Sequence, residues 1–298
     1  MARNNELGAA KTAKKDEFYT QLTDIEKEMR YYRKHFKGKT VLCNCDDPFE
    51  SNFFKYFVLN FNRLELKKLI ATCYATSPIM GSQLKYCMDA SGQMYISFDS
   101  ELTADNTTKR PYKAVVSVVY DKTGDGGVDM FDVAELFRSG ENQLTELSGD
   151  GDYRSDECLE LLQEADIVVT NPPFSKFREY VSTLIKYDKK FIIIGNINAA
   201  TYKETFPLIQ HNKMWLGASI HSGDRAFYVP DDYPLDAAGC GIDESTGRKF
   251  IRVKGVRWYT NLDHKQRHEE LILVKRYSPE LYPRFDNYCL LYTSDAAD

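Results

Sequence analysis

The sequence contains no apolar run near the ~20 residues that a membrane-spanning helix needs. Its first stretch, MARNNELGAAKTAKKDEF, is polar and holds no apolar signal region, so the cytoplasm is the expected location. No CxxC pair occurs among the seven cysteines, which disfavours a zinc site or a disulfide framework. Cys43 and Cys45 lie two apart, on one face if both are in a strand, and read as reduced core-lining thiols. A GxGxxG fingerprint is also missing. Gly38-Lys39-Thr40 imitates the end of a phosphate-binding loop, but Arg33 stands where the upstream glycine belongs and a strand follows instead of a helix. Excess positive charge is lacking too: 39 Lys and Arg against 44 Asp and Glu leave −5. That disfavours a bulk nucleic-acid coat but leaves room for a local basic surface. No repeat is visible.

What is present is ordinary globular composition: 298 residues, 43% hydrophobic and 28% charged, enough for one large domain or two modest ones. Two basic stretches stand out. One runs from Arg30 to Lys39. The other runs from Arg248 to Arg267 and includes Lys249, Arg252, Lys254, Arg257 and Lys265, with Trp258 and Tyr259 among them. Each could be simply a solvated face.

The apolar pattern predicts a helix over residues 23–36, a strand over Thr40–Cys45, a helix over Asn52–Phe61 and a strand over Lys68–Tyr74. Met94–Phe98 and Ala114–Tyr120 read as strands of an inserted hairpin. Alternation then resumes, with Leu144–Leu147, a helix over Ser155–Glu164, a strand over Asp166–Thr170, a helix over Lys176–Lys186 and a strong strand over Lys190–Gly195. This order implies an α/β fold with a parallel sheet. Several strands end in polar residues or Gly, and in open α/β sheets ligands sit at that edge.

Candidate sites fall at those ends. Asn44-Cys45-Asp46-Asp47-Pro48-Phe49 is either a nucleotide-type binding turn or a helix cap, since Asp caps well and Pro suits an early helical position. Gly149-Asp150-Gly151-Asp152 is either a plain turn or a carboxylate site for the amino group of a bound adenosine. Asp121 to Asp132 places oxygen side chains in the order of a calcium loop. Asp replaces the final bidentate Glu, however, and a strand precedes the loop, so a turn-rich connection is the better reading. His264 and His268 could share a helix face, but without a third ligand they read as surface or phosphate contacts.

The segment Ala165-Asp-Ile-Val-Val-Thr-Asn171-Pro172-Pro173-Phe174 carries the most chemistry. Two prolines cannot extend a ladder, because neither has an N–H. They stiffen the chain and leave carbonyl acceptors beside an aromatic ring. The segment resembles the [DNS]-P-P-[YFW] motif of amino-methyltransferases. Asp16-Glu17-Phe18-Tyr19-Thr20-Gln21, Thr40 to Asn52 and the GDGDYRSDE stretch extend the resemblance to the EcoRI-type adenine-specific modification methylases, over roughly residues 11–288. The segment Cys289 to Asp298 does not look like that family and is expected to be a non-native tail.

This resemblance implies a Rossmann-like S-adenosylmethionine-dependent methyltransferase fold, with a mostly parallel sheet flanked by helices, an inserted hairpin and C-terminal target-recognition elements. It implies a catalytic region over 1–213 and a sheet-completing, target-recognition region over 214–298. Asn171, Pro172, Pro173 and Phe174 would hold a flipped-out adenine. Phe18, Tyr19, Thr20, Asn44, Cys45, Asp46, Asp150 and Asp152 would bind S-adenosylmethionine. Arg225, Lys249, Arg252, Lys254 and Arg257 are the candidate DNA contacts. The implied partner is double-stranded DNA, with a restriction endonuclease sharing the site as a further possibility and no metal. The competing readings are methylation of an RNA base or a protein glutamine amide, and a non-catalytic nucleic-acid-binding module.

Overall fold

A computed structural model describes residues 19–45, 51–72, 111–221, 223–229, 239–244, 246–270, 274, 278 and 280–281, together with the backbone of 84–88 and 94–98. The chain begins with the two-residue strand β1 (Tyr19–Thr20), then helices α1 (Leu22–Met29) and α2 (Arg33–Phe36). Next come β2 (Thr40–Cys43), α3 (Asn52–Leu59) and β3 (Lys68–Thr72). Strands β4 (Leu84–Met88) and β5 (Met94–Phe98) form their own antiparallel pair. Then follow β6 (Tyr112–Val116), α4 (Met130–Arg138), β7 (Gln143–Glu146), α5 (Asp156–Glu164), β8 (Ile167–Thr170), α6 (Phe177–Lys186) and β9 (Lys190–Asn196). The rest is α7 (Phe206–Gln210), β10 (Trp215–Leu216), β11 (Asp224–Tyr228), β12 (Gly241–Ile242), β13 (Lys249–Lys254) and β14 (Val256–Thr260).

Eight strands form the main sheet in the order β10-β14-β9-β8-β2-β3-β6-β7. The central pairs β9–β8, β8–β2 and β2–β3 are parallel, and the outer pairs are antiparallel. Only β6 and β14 therefore run against the common direction. The central strands are buried on both faces, so alternate residues serve two cores. Val41, Cys43, Leu69, Ala71, Val169, Ile192 and Trp258 pack with α1 to α4. Leu42, Ile70, Val168, Phe191, Ile193 and Tyr259 pack with α5, α6 and α7. This explains why β2, β8 and β9 read as continuous apolar runs rather than alternating ones.

A second sheet has the order β1-β11-β13-β12. It joins the N-terminal strand to strands from far along the chain, through Tyr19↔Tyr228 and Thr20↔Phe227. Phe227 and Ile251 on its inner face join the core formed with α1 to α4. Helix α1 is pinned in the same core by Glu28, which is fully buried. Its carboxylate accepts from the Tyr32 hydroxyl at 2.8 Å and from the Ala218 and Ser219 N–H groups at 2.8 and 2.7 Å.

Residues 265–298 form a separate unit by contact density, within which Lys265–His268 is a short 3-10 turn. Among the described residues no helix is long and apolar enough to cross a membrane.

Several expectations need correction. The helix expected over 23–36 is two helices, because Arg30 to Tyr32 form a turn between them. Met94–Phe98 pairs with Leu84–Met88, while residues 112–116 join the main sheet instead of completing a hairpin with it. Cys43 ends β2, and Cys45 lies beyond it with φ +77°, so strand alternation does not relate the two. His264 is buried, with Nε2 at 3.0 Å from the Leu216 carbonyl, and is not a surface contact. In the loop that resembles a calcium site, Asp121, Asp125 and Asp132 do converge. Their oxygens serve the backbone: Asp121 accepts from the N–H groups of Gly124, Asp125 and Gly126. Asp132 accepts from those of Lys122, Thr123 and Asp129.

Candidate active site

The sheet order creates one topological switch point. From β2 the chain crosses through α3 to β3 on one side, and from β8 it crosses through α6 to β9 on the other. The carboxyl ends of the adjacent strands β2 and β8 therefore border the crevice where ligands bind in open α/β sheets. Asn44 and Cys45 follow β2, and Asn171 to Phe174 follow β8. The described start of the first predicted turn, Asn44 and Cys45, and the second predicted turn therefore follow neighbouring strands at this point.

Each turn has a local cause. Residues Ile167–Thr170 pair with β9 and the first two of them with β2, and the prolines that follow have no N–H to extend either ladder. Asn171 is 5% exposed, and Pro172 is buried beside it. Pro173 has φ −53° and ψ 124°, and its carbonyl accepts from the Lys176 N–H at 2.9 Å, starting the 3-10 turn Phe174–Lys176. Among the described residues no donor reaches the Pro172 carbonyl. Phe174 is half-buried, and its ring meets Phe227 edge-on, with centroids 6.3 Å apart and planes at 89°.

At the end of β2, Cys45 takes the left-handed turn that most chains would give to Gly. Asn44 is 6% exposed. Its carbonyl accepts from the Thr170 hydroxyl, and its Oδ1 accepts from the Tyr180 hydroxyl of α6. The Cys45 Sγ lies 3.5 Å from the same Oδ1. Burial, followed by the neighbouring Cys45, pushes the Tyr180 phenol well above its ordinary range, so it stays a donor. Helix α3 starts just beyond this turn, capped by Ser51, whose Oγ accepts from the Phe53 N–H at 3.2 Å.

Of the N-terminal motif, Phe18 lies outside the described residues, as does Asp46 of the first turn. Tyr19 and Thr20 point to opposite faces of the second sheet. Thr20 shares the face of Phe227, toward Phe174, and its Oγ1 is buried without a hydrogen-bond partner among the described residues. Asn52 Nδ2 donates to the Thr20 carbonyl at 2.7 Å, linking this strand to the start of α3. Tyr19 shares the other face with Tyr228, where Arg248 lies over both rings, 5.9 and 4.7 Å from their centroids.

Asp150 is exposed and accepts from the Asp152 N–H at 3.0 Å. Asp152 is held by Arg154 through Nε at 2.8 Å and Nη2 at 2.6 Å. That hydrogen bonding, outweighing burial, keeps its carboxyl below the usual aspartate range. Tyr153, between them, is 9% exposed and packs edge-on against Tyr180 at 4.9 Å. Its hydroxyl is buried with no partner among the described residues.

The basic candidates do not form one surface. Cross-strand register puts Arg252 and Lys254 on the outer face of the second sheet with Tyr228 and Phe250. Arg225 and Lys249 fall on the opposite face. Arg225 is 3.8 Å from the Asp24 carboxylate and donates to the Asp224 carbonyl at 2.8 Å. Arg257 belongs to the main sheet, where it donates to the Val256 and His221 carbonyls at 2.7 and 2.8 Å. The sequence reading missed Tyr180, Tyr153 and Phe227. Tyr180 and Phe227 look like ordinary apolar-face positions, and Tyr153 stands within the Gly/Asp turn without chemistry of its own; only the fold packs Tyr153 on Tyr180 and Phe227 on Phe174.

Comparison with known proteins matches the sequence to a family. The chain is 44% identical over 299 residues to the type II methyltransferase M.EcoRI of Escherichia coli, covering 100% of this chain and 81% of that protein. It is 32% identical over 288 residues to M.MgeORF184P of Mycoplasma genitalium, and 32% over 289 residues to M.MpnI of Mycoplasma pneumoniae. Each of these alignments covers 96% of this chain and 74% of the relative. No solved structure matches the chain. A family model for the EcoRI adenine-specific methyltransferase spans residues 6–297, and the chain belongs to that family of methyltransferases.

Proposed function

We propose that the protein transfers a methyl group from S-adenosylmethionine to the N6 amino group of an adenine flipped out of duplex DNA, in a Rossmann-like methyltransferase fold. The observation that carries this reading is the Asn171–Phe174 turn at the switch point, with the Pro172 carbonyl unused by the described residues and an aromatic ring next to it.

An adenine amino group is flat because its lone pair is delocalised into the ring. The Asn171 side-chain oxygen and the Pro172 carbonyl would each accept one of its N–H bonds and favour the tetrahedral nitrogen that can attack. Pro173 fixes the direction of the turn. Phe174 would pack on the base, worth about 1–3 kcal/mol by analogy with other base–aromatic contacts. Positioning and electrostatics then carry the rate.

The chain has groups that fit the cofactor. Thr20 Oγ1 and the Tyr153 hydroxyl are buried polar atoms with no partner among the described residues, and Asn44 and Cys45 line the end of β2. These residues and Asp150 would hold S-adenosylmethionine, with Phe18 and Asp46 of the flanking segments and Asp152 close by. When bound, the cofactor supplies an electrophilic sulfonium methyl. Arg252 and Lys254 are the DNA contacts we favour, with residues 214–298 serving target recognition and 1–213 catalysis. The names of the relatives fit a restriction endonuclease as companion. The thiols of Cys43, Cys45, Cys158 and Cys240, none in a disulfide, fit a reducing cytoplasm.

The test is transfer of tritiated methyl groups to mixed-sequence duplex DNA, with RNA and protein offered in parallel reactions, followed by digestion and separation of nucleosides. The expected product is N6-methyldeoxyadenosine. Label appearing only in RNA, only in protein or nowhere would overturn the reading.

A further inference from the structure

Two hydroxyls outside the predicted motifs converge on one residue of the first turn. Thr170, the last residue of β8, donates to the Asn44 carbonyl. Tyr180, one helical stretch beyond the prolines, donates to Asn44 Oδ1. Thr170 and Tyr180 are 1% and 2% exposed, so water cannot take their place in these bonds. We infer that Thr170 and Tyr180 are positioning residues that clasp Asn44, locking the turn after β2 to the strand that carries Asn171 and fixing the Asn44 amide with its nitrogen left as the donor.

The amide direction follows from the partners. The Tyr180 O–H has no other oxygen or nitrogen acceptor among the described residues, so its proton goes to the oxygen of the Asn44 amide. Cys45 Sγ, at 3.5 Å, sits against the same oxygen. Nδ2 then has no hydrogen-bond partner among the described residues. It is a donor held in place at the carboxyl end of β2. Tyr180 is itself wedged: Tyr153 packs edge-on against its ring. The preceding turn of α6 is fixed by Phe177, whose ring fits where Gly195 has no side chain. The helix that follows the prolines therefore reaches back to the neighbouring strand's turn. A shift of one turn cannot occur without breaking a bond to the other.

This inference rests on the cofactor reading of Asn44, so the experiment reports on both. S-adenosylmethionine affinity and steady-state kcat and KM are measured for the wild-type protein and for Tyr180→Phe, Thr170→Val and Thr170→Ser, with thermal melting of each. Tyr180→Phe keeps the ring and removes only the hydroxyl. It is expected to raise the dissociation constant and KM for S-adenosylmethionine about fivefold or more, the size of one hydrogen bond, with kcat within about twofold. Thr170→Val is expected to impair both cofactor KM and kcat, because it frees the turn from the strand that carries Asn171. Thr170→Ser, which restores the hydroxyl, is expected to return both to within about twofold. Unchanged cofactor affinity in Tyr180→Phe overturns the clasp, and so does a Thr170→Ser variant as impaired as Thr170→Val. Melting shifts that account for the whole loss overturn it as well. Wild-type protein that does not bind S-adenosylmethionine sinks the cofactor reading itself, a different result from wild-type binding with insensitive variants.

Discussion

At the scale of single residues, the site depends on backbone geometry that the side chains do not advertise. Cys45 holds φ +77° immediately after β2. A β-branched residue there meets steric strain that Cys tolerates better and Gly avoids. Cys45→Val is therefore expected to lose about 1–3 kcal/mol of stability, while Cys45→Gly should unfold at or above the wild-type urea midpoint. A Val variant as stable as wild type would show that the turn relaxes freely. The Asn171-Pro-Pro-Phe segment was legible from sequence because its chemistry is local: two missing donors and a ring after an apolar strand. Thr170 and Tyr180 were not legible. A hydroxyl on an apolar-face residue gains meaning only when a distant strand end lies opposite it.

At the scale of elements, close packing places α6 against the sheet. A methyl group added at Gly195 in β9 would come within 2.4 Å of the Phe177 ring. Phe177 begins the helix that follows the prolines, so Gly195→Ala is expected to cost about 1–3 kcal/mol and to lower methyl transfer along with the melting temperature. Full activity and stability in that variant would mean that the helix can move without consequence.

The capped loop before α4 is an element expected to weaken in acid. Burial alone would raise the Asp132 carboxyl, but the N–H groups of Asp129, Thr123 and Lys122 outweigh it and hold it below the ordinary value of 3.8. A depressed folded value means that this stabilisation is complete above the unfolded value and is lost as pH falls through the lower folded one. Melting curves from pH 7 downward should therefore show the wild type falling more steeply below about pH 4 than Asp132→Asn. Parallel curves would remove Asp132 as the cause. The main strands and α5 and α6 were readable within a few residues, because buried parallel strands are apolar on both faces. The pairing of β1 with β11 was not. Two residues carry no periodicity, and their partner lies near the other end of the chain.

At the scale of the whole molecule, the second sheet shares one core with α1 to α4, and its inner ring Phe227 abuts Phe174. Its outer face offers Arg252 and Lys254, whereas Arg225 and Lys249 are turned the other way. Alternation explains that split: a run rich in Lys and Arg along one strand serves two faces. If the outer pair neutralises phosphates, Arg252→Ala with Lys254→Ala should weaken binding to mixed-sequence duplex. The dependence of log affinity on log salt should flatten by about 0.9 for each phosphate left without its cation. An unchanged slope would place the DNA elsewhere.

The central claim is that the turn after β8 acts on the reacting amine and not on folding or cofactor binding. Single-turnover methyl transfer to duplex DNA by Asn171→Ala, with S-adenosylmethionine affinity measured on the same preparation, tests it most directly. The account predicts a rate loss of about 10²–10³ with cofactor affinity retained, the scale of removing one group aimed at a transition state. Equal loss of rate and affinity, or no loss of rate, would contradict it.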